Sequence, residues 1–345
     1  TLDNTVGDAL NTTPDAISLQ STLAQWRDAG VSSAVLEVSS HSLSQGRVNG
    51  IPFDLALFTN LSHDHLDYHG DMESYGRAKA ALFRHPGLQQ AVVNADDPFS
   101  ASIIAGSDAP MLLRYGVATT DADVRPTSVE FHARGVLAEI TTPWGGGELD
   151  SHLIGSFNLS NLLGVVTAAC ALGLSLDEVL ATVPVLEGAA GRMQSIDNSQ
   201  GLQVVVDYSH TPDALEQALA ALRVHTTGSV WCVFGCGGDR DPHKRPVMGA
   251  IACAGADRVV VTSDNPRGED PEAIVRDVLT GCTEDVYVEV DRAAAIEHAI
   301  ASAAPGDCVL IAGKGHETYQ EIAGDRLPFD DARQARLALA ARAKA

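Results

Sequence analysis

The sequence predicts an α/β protein of two domains, and three observations carry the prediction. Its 345 residues are long for one hydrophobic core, so two domains of about 150 to 190 residues are expected. From about residue 203 onward the β-branched runs LQVVVDY, SVWCVFG, DRVVVTS, DVYVEV and DCVLIAG alternate with helical patterns at intervals of roughly 20 to 30 residues, the rhythm of a parallel sheet covered by helices. The first half also starts as α/β and then turns to short strands with Gly-rich connections, which predicts a mostly parallel sheet plus a small antiparallel one. The segment PVLEGAAGRM, 184–193, reads as the linker and sets the domains at 1–189 and 190–345.

The elements follow in order. Thr13-Pro14-Asp15-Ala16 offers a capping hydroxyl, a proline at the first helical position and an acid near the positive end, opening a helix over 14–29 with Leu19, Leu23 and Trp26 on one face. AVLEV (34–38), DLALF (54–58) and AVVNA (91–95) read as strands, with a helix over 73–84 between the last two. Residues 111–153 read as antiparallel strands, MLLRY, SVEFHA and VLAEIT, joined by turns such as the GGG of 145–147. Helices over 158–173 and 176–183 come next, the second opened by a Ser175…Glu178 capping box. Thr211-Pro212-Asp213-Ala214 repeats the pattern of the first helix start.

A formal charge of −22 would repel nucleic-acid phosphates and acidic membranes, so no nucleic-acid and no membrane partner is expected. An anionic ligand then needs a local pocket of Arg, Lys, metal or backbone amides. No apolar run approaches the ~18 to 20 residues of a membrane span, and the opening residues lack a basic-then-apolar signal, so the cytoplasm is the expected location. The six cysteines lie mostly in apolar stretches without paired CxxC spacing and read as reduced core thiols. The chain begins at Thr1 in loop-like TLDNTVGDALNTT, and further sequence is expected upstream.

The stretch LSHDHLDYHGD, 61–71, packs three histidines and three aspartates into eleven positions. One reading is a polar loop. A second is a zinc hydrolase, since His63-x-His65-x-Asp67 begins the H-x-H-x-D-H pattern, although the next histidine arrives one residue late, at His69. The third looks to strand ends: AVLEV leads into Glu37-Val-Ser-Ser-His41 and DLALF into Thr59-Asn60, so Glu37 and His65 would meet beyond the carboxyl edge of a parallel sheet. Carboxylate oxygen plus imidazole suits Mg²⁺ held mainly by phosphates and water.

EVSSHSLSQGRV, FTNLSHDHLDYHGDMESYGRAKAALF, NADDP, GSFNLSN, GRM, VDYSHTPDAL, FGCGGDRDPHKRP, DNPR and AGKGHE, in this order, resemble the Mur ligases, most closely the MurE type that adds the third residue of the peptidoglycan stem peptide. The resemblance covers about 11–335. It implies a central ATPase domain followed by a Rossmann-like C-terminal domain, and ATP-driven amide-bond formation through an acyl phosphate. DNPR implies that the amine is meso-diaminopimelate, because lysine-adding relatives lack this arginine. An L-lysine-adding enzyme of the same type, a folylpolyglutamate synthetase on the same scaffold, a zinc metallohydrolase and a non-catalytic binding module are the alternatives.

The resemblance also implies roles. Glu37 and His65 would be Mg²⁺ ligands, and Lys79, carbamylated, would complete a second metal site, giving two ions. Asn158 and Asn161 would lie near the base of ATP, Asp207 on the ribose, and Arg192 and His210 toward the phosphates, with Lys79, His210 and Arg192 catalytic. Asn11, Thr12, Thr13, Ser39, Ser40, His41 and Arg47 would contact the UDP-N-acetylmuramoyl-dipeptide. Arg240, Asp264, Asn265, Arg267, Gly313 and Glu317 would hold diaminopimelate. Plainer readings stand beside these: Thr13 and Asn158 as helix caps, Asp207 as a strand-end acid, Lys79 as a surface lysine and DNPR as a turn. Active Mur ligases carry a G-T-x-G-K-[ST] phosphate loop ahead of these motifs; this sequence has none, and His63 stands where an arginine is usual. The chain is therefore expected to be the back two-thirds of a longer, monomeric enzyme and to be inactive by itself.

Overall fold

A computed structural model describes residues 11–62, 65–283 and 286–344. His63, which bears on the zinc pattern and on the departure from arginine, lies outside them, as does the opening loop before Asn11. The chain forms two compact units. The first holds the described residues up to Thr127 with Ile140–Gly147 and Ser160–Val179; the second holds Ser128–Glu139, Glu148–Leu159 and the chain from Leu180 onward.

In the first unit α1 (Ala16–Asp28) and α2 (Ser40–Ser44) precede β1 (Leu55–Phe58), α3 (Leu66–His69), α4 (Met72–Ala80) with a 3₁₀ turn at Ala81–Arg84, β2 (Gln90–Asn94), α5 (Ser100–Gly106) and β3 (Met111–Tyr115). The strands form a parallel sheet in the order β1–β2–β3, with Phe58 opposite Val93 and Asn94 opposite Tyr115. Ala56, Phe58, Phe83, Ala91, Val93 and Ile103 make the core beneath it. Tyr115, fully buried, donates its hydroxyl to the Phe58 carbonyl at 3.1 Å, tying the ends of the two outer strands.

Three expectations change here. MLLRY is β3, a parallel neighbour of β2 and not part of an antiparallel set; it follows a helical crossover, the connection a parallel pair requires. AVLEV is not a strand: β-propensity cannot supply a ladder, no described segment pairs with 34–38, and Val35 is 95% exposed. Thr13 does not cap α1. Asp15 does, accepting from the Ile17 and Ser18 amides at 3.0 Å, while the Thr13 hydroxyl is buried and donates to the Glu37 carbonyl at 2.7 Å.

The segment between residues 125 and 151 gives β4 (Arg125–His132), β5 (Gly135–Thr142) and β6 (Gly145–Ser151), a three-stranded sheet in that order. The GGG expected as a turn begins β6 instead, because the reversal is completed by Pro143-Trp144 before it. Next come α6 (Ser156–Ala171) and α7 (Leu176–Thr182), the latter capped reciprocally as expected: Ser175 Oγ donates to Glu178 Oε2 at 2.6 Å and accepts from the Glu178 amide at 3.3 Å.

The second unit continues through β7 (Gln194–Ser195), β8 (Gln203–Asp207), α8 (Pro212–Arg223), β9 (Val230–Phe234), α9 (Lys244–Gly255), β10 (Arg258–Val261), α10 (Pro271–Leu279), β11 (Tyr287–Val288), α11 (Arg292–Ser302), β12 (Cys308–Ala312), the hairpin β13 (Tyr319–Ile322) and β14 (Asp325–Pro328), and α12 (Asp331–Arg342). Thr211 caps α8 and Pro212 opens it, as its sequence predicts. The sheet order is β11–β10–β9–β12–β8–β7, parallel except for β7. Alternate strand residues feed two cores, one with Val205, Cys232, Phe234 and Leu310, the other with Val204, Val206, Val233, Val309 and Ile311. The register aligns Asp207, Ala312, Phe234 and Val261 along one edge, so four strands deliver their next residues to the same place.

Candidate active site

In the first unit the site residues gather past the carboxyl ends of the strands. Asn94 donates to the Thr59 carbonyl at 2.7 Å, Lys79 Nζ to the Asn60 carbonyl at 3.3 Å, and the Leu61 amide to Asp97 at 2.8 Å, which fixes the exit from β1. His65 follows with φ 55°, a left-handed conformation uncommon outside glycine and often seen at functional positions. Around it an aromatic cluster forms. The His41 ring lies 4.9 Å from His65, 4.2 Å from Tyr68 and 5.4 Å from His69; Tyr75 stacks on His69 at 5.2 Å, and Lys79 Nζ sits 5.1 Å above the Tyr75 ring. Ser40 Oγ shares a 2.9 Å hydrogen bond with His69 Nε2.

Thr13 joins this cluster to α1. Its hydroxyl accepts from the Ser39 amide at 3.0 Å, its carbonyl accepts from Arg47 at 2.8 Å, and Ser39 Oγ caps α2 through the Ser42 amide. Glu37 is exposed beside that strap, as are Asn11 and Thr12. Among the described residues no three His, Cys, Asp or Glu side chains gather as a metal cage. The histidines pack ring against ring instead. A Mg²⁺ ion held largely by phosphate and water needs fewer protein ligands than that, and a carboxylate oxygen and an imidazole nitrogen are fitting donors for it.

In the second unit, Asp207 at the end of β8 accepts from the Met193 amide at 2.8 Å and from the Ser209 hydroxyl. The Arg192 guanidinium lies over the Tyr208 ring at 4.8 Å, and His210 Nδ1 bonds the Tyr208 carbonyl at 2.9 Å. Arg192, Asp207 and His210 therefore flank one strand exit. Asn158 lies in the first turn of α6 and, rather than capping it, donates to the Ile154 carbonyl at 2.8 Å; Asn161 is on the same helix, exposed.

The loops after β10 and β12 meet more closely. Asp264 and Asn265 are buried. Lys314, fully buried, donates to Asn265 Oδ1 at 2.9 Å and Glu317 Oε2 at 3.1 Å and stands 3.8 Å from Asp264. Asn265 Nδ2 also donates to Glu317, at 2.8 Å. Burial pushes the Asp264 carboxyl above its usual range, against the pull of Arg292 and Lys314. Gly313 has φ +121°, and a Cβ there would come within 2.6 Å of Asp264 Oδ2, so only glycine permits this approach. Arg267, at φ 51°, donates to the Gly238 carbonyl at 2.7 Å, and its backbone amide donates to the Glu321 carbonyl at 2.9 Å. Arg240 is exposed on the turn after β9.

The two halves of the chain match known families. Residues 1–169 match the profile of the Mur ligase middle domain, and residues 191–315 that of the Mur ligase, glutamate ligase domain. A UDP-N-acetylmuramoyl-L-alanyl-D-glutamate–2,6-diaminopimelate ligase of Synechococcus elongatus is 52% identical over 341 residues, which are 98% of this chain and 68% of that protein. The chain belongs to the Mur ligase family. A ligase of the same name from Chromobacterium violaceum is 50% identical over 336 residues, 96% of this chain and 68% of its own. A solved structure of a UDP-N-acetylmuramoyl-L-alanyl-D-glutamate–2,6-diaminopimelate ligase, 42% identical, superposes with a TM-score of 0.78 over 98% of this chain and 71% of that one. The MurF ligase of Thermotoga maritima in complex with ADP shares the fold at 17% identity and a TM-score of 0.63.

Sequence reasoning missed several residues of this Mur ligase chain. Lys314 was visible only as a Gly-Lys pair in AGKGHE, Tyr75 only as an aromatic residue near His65, and His69 only as the late histidine of the zinc pattern. The β13–β14 hairpin, which brings Gln320 to the Asp264 carbonyl at 2.6 Å and the Glu321 amide to Asn265 Oδ1 at 2.9 Å, had its signal in TYQEI-AGD-RLPF, two short strand-like runs around a turn.

Proposed function

We propose that this chain serves an ATP-dependent ligase that adds meso-diaminopimelate to UDP-N-acetylmuramoyl-L-alanyl-D-glutamate, a cytoplasmic monomer acting on peptidoglycan precursors. The observation that carries the choice of amine is the 264–267 loop, where Arg267 is held in a left-handed conformation against Gly238 and Glu321, two residues on from the Asn265 that bonds Lys314 and Glu317. The names and identities of the relatives support the same reading.

In this reading the substrate carboxylate attacks the γ-phosphate of ATP, releasing ADP and leaving an acyl phosphate. The amine of diaminopimelate then attacks the acyl carbon, and phosphate departs. Positioning and charge dominate both steps. Arg192 and His210 would face the phosphates, Asp207 the ribose, and Asn158 and Asn161 the base. Asn11, Thr12, Thr13, Ser39, Ser40, His41 and Arg47 would orient the nucleotide-sugar peptide. Glu37 and His65 would hold Mg²⁺, and Lys79, carbamylated, would offer a carboxylate-like oxygen to a second ion. Bound there, Mg²⁺ supplies neutralising charge to the phosphate oxygens. Arg240, Asp264, Asn265, Arg267, Gly313 and Glu317 would surround the amino acid.

The deciding experiment measures ADP release by the enzyme that carries this chain, with the dipeptide substrate and each of two amines. Release dependent on meso-diaminopimelate, with L-lysine at least about tenfold poorer in kcat/KM, is expected. Equal or better use of lysine sinks the amine assignment, and ADP release indifferent to the dipeptide sinks the ligase reading.

A further inference from the structure

We infer that Arg292 is the positioning residue of the amine site: paired with Asp331, it sets the spacing between the loop that follows β10 and the loop that follows β12. Arg292 is the first residue of α11 and Asp331 the first of α12, and both side chains are fully buried. Arg292 Nε and Nη2 each donate to one carboxylate oxygen at 2.7 Å, a two-point fork. The guanidinium has two further contacts. Nη1 donates to the Ser263 carbonyl at 3.2 Å and Nη2 to the Ala312 carbonyl at 3.0 Å.

Those carbonyls are what give the pair a function. Ser263 immediately precedes Asp264 and Asn265; Ala312 immediately precedes Gly313 and Lys314. β10 and β12 share no ladder, because β9 lies between them in the sheet. Backbone pairing through β9 brings the two strand ends level but makes no direct bond between them, whereas a single rigid guanidinium bonds the residue that leads into each loop. The consequence is seen in the contacts those loops make: Lys314 to Asn265 at 2.9 Å and Asn265 to Glu317 at 2.8 Å need the two exits held at a definite separation. A shift of about 1 Å in such a site costs on the order of a hundredfold in rate. Stability alone is a poor reason for the pair, since buried ion pairs are often replaced by apolar side chains without loss. A lysine at 292 would keep the charge but lose the planar fork that reaches three partners. An open cleft of about 470 Å³ lined by Ser263, Pro266, Arg292, Gln320 and Phe329 adjoins the pair, so a smaller side chain leaves water a place to enter rather than forcing collapse.

The inference rests on the amine-site reading above, and its test has one arm independent of that reading. In the enzyme carrying this chain, the double substitution Arg292→Met with Asp331→Leu removes both charges together, and Arg292→Lys keeps both charges but loses the fork. Backbone hydrogen exchange is read at 263–268 and 312–318, with β8 as internal reference, alongside KM for amine and for ATP. In the double variant, exchange in both loops is expected to rise at least about tenfold while β8 is unchanged, and KM for the amine to rise at least about tenfold while KM for ATP moves less than about threefold. Arg292→Lys should fall between. Unchanged loops with unchanged amine KM, or a uniform rise that includes β8 and ATP, overturns the inference. Should the double variant fail to fold, an Arg292→Lys enzyme with wild-type amine KM and wild-type exchange overturns it equally. If the wild-type enzyme uses no diaminopimelate, the functional reading falls and the exchange arm alone judges Arg292.

Discussion

Lys314 Nζ donates to Asn265 Oδ1 at 2.9 Å from a side chain with no solvent exposure, joining the loop after β12 to the loop after β10. A buried ammonium is tolerated only when its donors are engaged, and here Asn265 and Glu317 accept with Asp264 nearby. Lys314→Met keeps the stem and removes the charge. It should destabilise the protein by about 3 to 5 kcal/mol, the cost of leaving the acidic partners uncompensated. Urea denaturation measures it; a loss below about 1 kcal/mol would show that the lysine is dispensable to the loop pair.

Arg267 bears on the choice of amine. Diaminopimelate differs from lysine by a distal carboxylate, which a guanidinium can grip through both oxygens. Arg267→Ala should lower kcat/KM for diaminopimelate at least about tenfold and for lysine much less, with Arg267→Lys intermediate. Steady-state kinetics with both amines decide this, and equal losses would place Arg267 in a merely structural turn.

Lys79 bridges to the Asn60 carbonyl and packs over Tyr75. If its carbamate completes a metal site, Lys79→Ala removes activity, and bicarbonate or a short-chain acid restores part of it by supplying the missing oxygen. Lys79→Arg should gain nothing from either. Near-normal turnover in Lys79→Ala would make the residue a structural lysine.

His225 gives a pH dependence to the second unit. Its Nε2 accepts from the Gly155 amide at 2.9 Å, so Nδ1 carries the proton and donates to the His132 carbonyl at 2.8 Å. Burial lowers the imidazole's pKa from its usual 6.5, and a second ring proton would face the Gly155 N–H. A base with a depressed folded pKa contributes stability that is present above 6.5 and lost as pH falls below it, because the unfolded chain takes up the proton first. The melting temperature should therefore drop on acidification from about pH 7.5 to 5.5, and His225→Phe, less stable throughout, should show a flatter profile. A parallel slope in the two proteins would assign the pH response elsewhere.

What the sequence determined by itself was local or periodic. The Thr211 cap, the Ser175–Glu178 box and the β-branched rhythm of β8, β9, β10 and β12 are set by neighbours within a few residues or by repetition, and the structure holds them as written. The ordered motifs from EVSSH to AGKGHE carried the family in the same way. Tertiary structure decided what depended on distant partners. AVLEV has the composition of a strand and no ladder among the described residues; Thr13 has the position of a cap but bonds Glu37, 24 residues on. Asn265 with Lys314 spans 49 positions and Arg292 with Asp331 spans 39, and no spacing rule links such pairs. Hydrogen bonds and buried charges are satisfied by whatever the fold brings within about 3 Å, and sheet order rather than chain order determines which residues those are.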